Sequence, residues 1–214
     1  MKYKYLIFDF DGTINDTSVG IYHTFKKVLD VMGVPYEGVD FDRHIGPPLE
    51  FSYTELVGAS RCEEGIALHR KIFAEDNAVE MSKLYDGIFD VLCQLQRAGF
   101  VLAIASSKYQ PHALSSIERF GLKDVFVAVY GQTEQRGFKA EVLRQLIADN
   151  GWDKHRCIMI GDTPYDVDGA HSNGIDAMAV TYGFGKTDEL MSSKPELVAH
   201  SPQQIAEILL AATK

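Results

Sequence analysis

Cysteine is scarce in this chain of 214 residues, which holds only Cys62, Cys93 and Cys157. Their odd number and wide spacing fit neither a disulfide framework nor a zinc site with closely spaced ligands. Such cysteine usage is typical of proteins in a reducing compartment. We therefore expect a cytoplasmic location.

Long apolar runs are also absent. No stretch reaches the roughly 18 apolar residues that a membrane-spanning helix needs. The first apolar run meets Asp9 and Asp11 too early to form the core of a signal peptide. We expect no membrane partner.

Positive charge is in short supply, with 21 Lys and Arg residues against 30 Asp and Glu residues and a formal net charge of -9. Such an acidic chain is a poor candidate for binding a nucleic acid polymer or an anionic membrane through general electrostatics. A small phosphorylated molecule can still bind locally, through backbone N–H groups, a metal ion or a few lysines.

What the sequence does contain is an alternation of strand and helix patterns. Short apolar runs that stop at polar residues or glycine predict buried parallel strands. These runs are Tyr5–Phe8, Phe100–Ala105, Val125–Tyr130, Cys157–Ile160 and Ala177–Val180. Helical patterns cover about Gly87–Ala98, Pro111–Phe120, Lys139–Asn150, Pro164–Ser172 and Pro202–Ala212. The alternation predicts an α/β fold, with a Rossmann-like three-layer core built around a parallel sheet.

The segment between Ile14 and about Tyr85 breaks this alternation. It contains no convincing buried strand, and structureless connections of this length are uncommon in compact domains. Its helix-like pieces are Ser18–Met32, Pro48–Val57 and Glu63–Asn77. We predict an all-helical domain at 15–85, inserted into a core made of 1–14 and 86–214.

Two aspartates follow the first predicted strand, in the order Asp9, Phe10, Asp11 and Gly12. Ligands of open α/β sheets bind at the carboxyl ends of the strands. Neighbouring carboxylates repel unless a cation lies between them or one is protonated, and oxygen ligands of this kind suit Mg²⁺. A strand that simply ends in an Asp-Gly turn explains these residues equally well.

A second acidic cluster repeats the arrangement. Asp162 follows the apolar strand Cys157–Ile160, and Asp166 lies in the first turn of the next predicted helix. Taken singly, Asp162 could cap that helix and Asp166 could favour its dipole. Neither role explains why two strands deliver carboxylates to the same edge of one sheet.

Two further segments carry groups that can hold phosphate. Ser106 and Ser107 follow the strand that ends at Ala105, and Lys139 begins a predicted helix. Hydroxyl and ammonium groups donate hydrogen bonds to phosphate oxygens. In isolation, a serine-rich loop and a solvated surface lysine are the simpler interpretations.

Together these segments resemble a known family. Asp9-Phe-Asp11-Gly-Thr13, then Ser106, then Lys139, then Gly161-Asp162-x-x-x-Asp166 are similar, in this order, to the four motifs of the haloacid dehalogenase-like (HAD) phosphohydrolases. The resemblance extends from about Lys4 to about Val180. The predicted helical insertion resembles the helical cap domain of that family.

The resemblance implies a role for each motif residue. Asp9 would attack phosphorus, and Asp11 would act as the general acid and base. Mg²⁺ would be held by the Asp9 and Asp162 carboxylates and the Asp11 carbonyl, with support from Asp166. The predicted substrate-binding residues are Thr13, Ser106, Ser107, Lys139 and Arg43.

Arg43 enters this set because of the loop that it begins. Arg43-His44-Ile45-Gly46-Pro47-Pro48-Leu49 resembles the phosphoglycolate phosphatase and 5′-nucleotidase-like branch of the family. Arg43 could pair with an anionic group of the substrate, or it could lie in solvent on a rigid loop.

The predicted activity is Mg²⁺-dependent hydrolysis of a small phosphorylated metabolite, either phosphoglycolate or a nucleoside monophosphate. A sugar phosphomutase of the same family is the alternative enzyme, although Thr13 and the position of His23 disfavour it. A phospho-acceptor signalling domain is the alternative outside enzymes, but such domains are much shorter. We expect a monomer or a homodimer.

Overall fold

The computed structural model describes residues 2–211. The strands of this part of the chain are β1 Tyr5–Phe8, β2 Asn15–Asp16, β3 Lys83–Leu84, β4 Val101–Tyr109, β5 Ala128–Gln132, β6 Cys157–Gly161, β7 Asp176–Val180 and β8 Leu197–Ala199. Its α-helices are α1 Ser18–Met32, α2 Leu49–Val57, α3 Cys62–Glu75, α4 Ile88–Arg97, α5 Gln110–Arg119, α6 Lys139–Asp149, α7 Pro164–Asn173, α8 Thr187–Ser192 and α9 Pro202–Ala211.

The large sheet has the strand order β5-β4-β1-β6-β7-β8, and every neighbouring pair is parallel. β1 lies between β4 and β6, with Phe8 aligned to Ile104 on one side and to Ile160 on the other. The carboxyl ends of these three strands therefore meet at one edge, as the predicted α/β fold requires.

The sheet is covered on both faces. Alternate strand residues such as Phe8, Ile104 and Ile160 pack with α4, α5 and α9 in one buried cluster. Their neighbours, including Ile7 and Met159, pack with α6, α7 and α8 in a second cluster. Burial on both faces explains why these strands read as continuous apolar runs, and it confirms the predicted three layers.

Some element bounds differ from prediction. β4 continues past Ala105 to Tyr109, because its polar end pairs with β5 after a register shift. β5 begins at Ala128 rather than Val125, since Val125 closes a turn on Leu122. The last helix was predicted to end at Ala212, which lies outside the described residues.

The helices between β2 and β3 have a core of their own. Phe25 of α1, Tyr53 of α2 and Phe73 of α3 are buried in a third cluster, separate from the two that cover the sheet. At the base of this helical insertion, β2 and β3 form a two-stranded antiparallel ribbon that the sequence patterns did not predict. Within residues 2–211, no helix has both the length and the apolar character to cross a membrane.

Candidate active site

The chain turns sharply at the end of β1. Gly12 has a φ of +82°, and a Cβ there would lie 2.1 Å from an Oδ2 atom of Asp162. Only glycine combines that backbone conformation with so close an approach. The next residue, Thr13, is fully buried and donates a hydrogen bond from Oγ1 to Asp162 Oδ1 at 3.0 Å. Thr13 was predicted to bind substrate, and it lies where it orients a carboxylate.

Three carboxylates meet at this edge of the sheet. Asp9, Asp162 and Asp166 are at most 2% exposed, and each offers an oxygen within 4.8 Å of the others. The main-chain N–H of Phe184 donates to Asp162 at 2.8 Å, and that of Thr163 donates to Asp166 at 3.0 Å. The structure thus brings together the three carboxylates of the predicted metal site, and the further predicted ligand is the main-chain carbonyl of Asp11.

Lys139 lies between two of these carboxylates. Its Nζ is 2.8 Å from an oxygen of Asp9, 2.8 Å from one of Asp166, and 3.0 Å from the carbonyl oxygen of Ala105. The residue is 4% exposed, which does not fit the simpler interpretation of a solvated surface lysine. It begins α6, where the helix dipole would disfavour a cation, so the carboxylates are what hold it there.

The charge balance of the cluster is negative. Burial raises the pKa of Asp9 to about 7, with Asp166 and Asp11 adding to the rise and Lys139 opposing it. Burial also raises the pKa of Asp162 well above its ordinary value, and the charges of Asp166 and Asp9 add to this. One lysine does not neutralise three carboxylates. An oxygen-only donor set with surplus negative charge fits a hard divalent cation such as Mg²⁺.

Asp11 has a different partner. Lys108 Nζ lies 3.0 Å from both carboxylate oxygens of Asp11, and the lysine side chain is 7% exposed. The sequence analysis did not single out Lys108. A signal was present, since Lys108 follows Ser106 at the strand spacing that places alternate side chains on one face.

The predicted phosphate-binding serines lie beside these ion pairs. Ser106 is 1% exposed, and its Oγ accepts a hydrogen bond from the Lys108 N–H at 3.2 Å. Ser107 Oγ is buried and has no hydrogen-bond partner among the described residues. Both serines border the same cavity as Asp9 and Asp11.

That cavity has a volume of about 60 Å³ and lies between the sheet edge and the helical insertion. The insertion lines it mainly with apolar groups such as Phe25, Ile45 and Phe73, and with the polar side chains His44, His69 and Arg70. These three polar residues were not predicted as site residues, because an isolated histidine or arginine in a helical pattern indicates no particular role.

Arg43 does not border this cavity. It lines a second cavity, together with Tyr165 and Lys186, and its guanidinium is 3.5 Å from the carboxylate of Glu55. The side chain is 52% exposed. Of the predicted substrate-binding residues, Arg43 is therefore the one that the fold places away from Asp9.

Comparisons with known proteins show what this chain is similar to. Residues 6–180 match the family model described as haloacid dehalogenase-like hydrolase. A tyrosine-protein kinase, PtkA of Mycobacterium tuberculosis, is 34% identical over 199 residues, which are 92% of this chain and 68% of that protein. A 5′-nucleotidase of Pseudomonas aeruginosa is 32% identical over 200 residues, with 91% and 90% coverage.

A solved structure shares the fold over nearly its whole length. The crystal structure of a predicted phosphatase from Clostridium acetobutylicum has a TM-score of 0.92 and 29% sequence identity. The match covers 99% of this chain and 100% of that one.

Proposed function

The chain belongs to the haloacid dehalogenase-like hydrolase family, and from this premise we propose that it hydrolyses small phosphate monoesters with Asp9 as nucleophile and Asp11 as general acid and base. A 5′-nucleotidase and a predicted phosphatase are among its relatives. The observation that carries the proposal is the placement of the two carboxylates. Both border one cavity, and each has its own lysine, at 2.8 Å for Asp9 and 3.0 Å for Asp11.

In the first chemical step, a carboxylate oxygen of Asp9 attacks phosphorus and the bond from phosphorus to the ester oxygen breaks. Asp11 gives its proton to the departing alkoxide, so an alcohol leaves and Asp9 carries the phosphoryl group. Asp11 then takes a proton from water, whose oxygen attacks phosphorus. The bond between phosphorus and the Asp9 oxygen breaks, which frees the Asp9 carboxylate and releases inorganic phosphate. Lys139 offsets the negative charge beside Asp9, and the hydroxyl of Ser106 can hold a phosphoryl oxygen.

We propose Mg²⁺ as the cofactor. The Asp9 and Asp162 carboxylates and the Asp11 carbonyl would hold it, with Asp166 in support. When bound, the ion would supply positive charge against the carboxylates and the phosphoryl oxygens. The support is the buried oxygen cluster itself, whose carboxylates lie within 4.8 Å of one another with a single lysine among them.

The helical insertion would act as a cap over this site. We propose the division made from the sequence, with a cap at 15–85 on a core of 1–14 and 86–214. Its apolar side chains, including Phe25 and Ile45, face Asp9 and Asp11 across the cavity and would exclude water. The cavity is small, at about 60 Å³, which favours a small ester such as phosphoglycolate over a nucleoside monophosphate.

The alternatives have less support. The mutase alternative assigns a role to a cap histidine, and His23 lies in an ion pair with Asp76 at 2.6 Å rather than on the cavity. The kinase activity named for the mycobacterial relative is a property of that protein. The cytoplasmic location and the monomeric or dimeric state stay predictions.

The test is hydrolysis of p-nitrophenyl phosphate with Mg²⁺. Asp9→Asn should reduce turnover to background while leaving the circular dichroism spectrum unchanged. EDTA should stop hydrolysis by the unsubstituted protein, and added Mg²⁺ should restore it. Asp168→Asn is the matched control, because Asp168 is exposed and lies on the same helix as Asp166. Turnover by Asp9→Asn close to that of the control would refute the nucleophile assignment.

A further inference from the structure

Arg70 is the charged side chain on the cavity wall that the proposed chemistry does not use. Asp9 is paired with Lys139 and Asp11 with Lys108, so the two acids of the cavity already have counter-ions. Arg70, on α3, lies on the same cavity and has no carboxylate partner within residues 2–211. Its guanidinium instead lies 4.5 Å from the ring centroid of Tyr109.

Unpartnered polar atoms cluster around this cavity. Arg70 Nε, His44 Nδ1 and Ser107 Oγ are all buried without a hydrogen-bond partner in the described part of the chain, and all three residues line the cavity. Buried polar groups are normally hydrogen-bonded, so each exception needs an explanation. Three such atoms around one cavity indicate a ligand that accepts hydrogen bonds there.

The surroundings of Arg70 are electropositive. His112 stacks on Phe73 with ring centroids 4.6 Å apart, and Lys108 Nζ lies 5.0 Å from the centroid of the same Phe73 ring. Burial, together with the charges of Lys108 and Arg70, lowers the pKa of His112 to about 4. This side of the cavity therefore carries cations and neutral donors, which suits an oxyanion.

From these contacts we infer that Arg70 binds a second oxyanion, carried by the leaving group of the substrate close to the ester oxygen. The inference rests on the proposed phosphatase function, and it makes Arg70 a specificity-determining residue of the cap. The oxyanion is a carboxylate or a second phosphate, since a guanidinium pairs with either through parallel hydrogen bonds. Arg70 and Asp9 border the same small cavity, which favours an oxyanion close to the phosphorus.

The test compares pairs of compounds in which one member carries a second anion and the other does not. 2-Phosphoglycolate and ethyl phosphate form the carboxylate pair, and pyrophosphate and methyl phosphate form the second-phosphate pair. In Arg70→Gln, the ratio of kcat/KM for the compound with the second anion over its partner should fall at least about tenfold, relative to the unsubstituted protein, in one pair or both, because a charge-assisted hydrogen bond is lost. Arg70→Lys should recover part of the ratio.

Lys71→Gln is the matched control. Lys71 is the next residue of α3 and its side chain is 65% exposed, so the substitution removes the same charge from the outer face of the helix. If the kcat/KM ratio falls only in the carboxylate pair, the substrate class is a phosphorylated acid. If the ratio falls only in the second-phosphate pair, the substrate class is a diphosphate. Unchanged ratios in both pairs, or an equal fall in Lys71→Gln, would overturn the inference.

Binding separates this inference from the phosphatase proposal. Calorimetry on Asp9→Asn with Mg²⁺ should show tighter binding of 2-phosphoglycolate than of ethyl phosphate, or of pyrophosphate than of methyl phosphate, and Arg70→Gln should remove the difference. If the unsubstituted protein hydrolyses no ester, the phosphatase proposal is wrong, and the binding ratios still decide the role of Arg70.

Discussion

At the scale of the single residue, Lys139 neutralises part of a buried acidic cluster and lies beside Asp9, the proposed nucleophile. Burial lowers its pKa, but the carboxylates of Asp166 and Asp9 raise the pKa by more than burial lowers it. The ammonium therefore stays charged wherever the protein is folded. Few other groups could hold Asp9 and Asp166 so close together in a site this dry.

Replacing Lys139 by methionine should leave these carboxylates buried without their cation. We expect the free energy of unfolding to fall by about 3–5 kcal/mol, the usual cost of breaking a buried ion pair. Urea denaturation in EDTA measures this loss. Lys71→Met is the control, because the side chain of Lys71 is 65% exposed and its ion pair lies on the surface. Equal losses in the two variants would show that the buried pairing is not stabilising.

The motif residues were predictable because chemistry limits what can stand at a strand end. Asp9 and Asp162 were singled out as carboxylates at the ends of two parallel strands, whereas Lys139 was identified only through the resemblance to the HAD motifs. Lys108 was missed because its partner Asp11 is 97 positions away, and only the fold brings the two together. Arg70 was missed because a charged residue in an amphipathic helix normally lies in solvent.

At the scale of elements, the helical insertion is attached to the sheet at one narrow place. Its ends pass through β2 and β3, where Asn15 Nδ2 donates to Ser82 Oγ at 3.1 Å. The N–H of Tyr85 donates to the carbonyl of Ile14 at 3.0 Å just below. Motion of the insertion against the sheet must therefore bend this ribbon.

Arg119 of α5 holds the returning end of the insertion to the core. Its guanidinium donates to the carbonyls of Ser82 and Glu80, both at 3.0 Å, and pairs with the Glu80 carboxylate at 2.9 Å. Arg119→Leu should lower the free energy of local opening at 78–84 by about 1–3 kcal/mol. Amide hydrogen exchange in this segment should therefore become faster.

Arg97→Leu is the control for this measurement. Arg97 is the last residue of α4 and is exposed. Its substitution removes the same charge from the sheet domain without breaking a contact to the insertion. Exchange rates at 78–84 that match the control would mean that Arg119 does not restrain the insertion.

Sequence patterns located the long elements and missed the short ones. Leu197–Ala199 forms β8, yet three residues carry too little periodicity to predict a strand. The ribbon of β2 and β3 is shorter still and partly exposed, so it has no hydrophobic signature. Both are held by neighbours that only the tertiary structure supplies.

At the scale of the whole molecule, buried histidines connect folding to pH. His69 lies in the core of the insertion, with Nδ1 2.9 Å from the Tyr53 hydroxyl. Burial lowers its pKa to about 3, and the charges of Lys108, His112 and Arg70 contribute. The unfolded chain takes up a proton near the ordinary value of about 6.5, while the folded chain does not. Stability from neutral His69 is therefore present above that value and is lost as the pH falls.

The expected slope follows from this difference in bound protons. Below about pH 6.5, the free energy of unfolding should fall by up to about 1.4 kcal/mol per pH unit for each such histidine. The buried acids Asp9 and Asp162 contribute in the opposite direction, because their pKa values are raised in the fold. The measurement is therefore the free energy of unfolding in urea of the unsubstituted protein minus that of His69→Gln, followed from about pH 7 to about pH 5. A difference that does not change with pH would contradict the prediction.

The side-by-side ends of the insertion have a consequence for how such proteins diversify. Because β2 and β3 run antiparallel, the chain leaves and re-enters the sheet at neighbouring points. Recombination that replaces the whole helical insertion would therefore leave the strand order of the sheet unchanged. Such a replacement would change the side chains over the cavity, and with them the substrate preference, while the acidic residues at the strand ends stay in place.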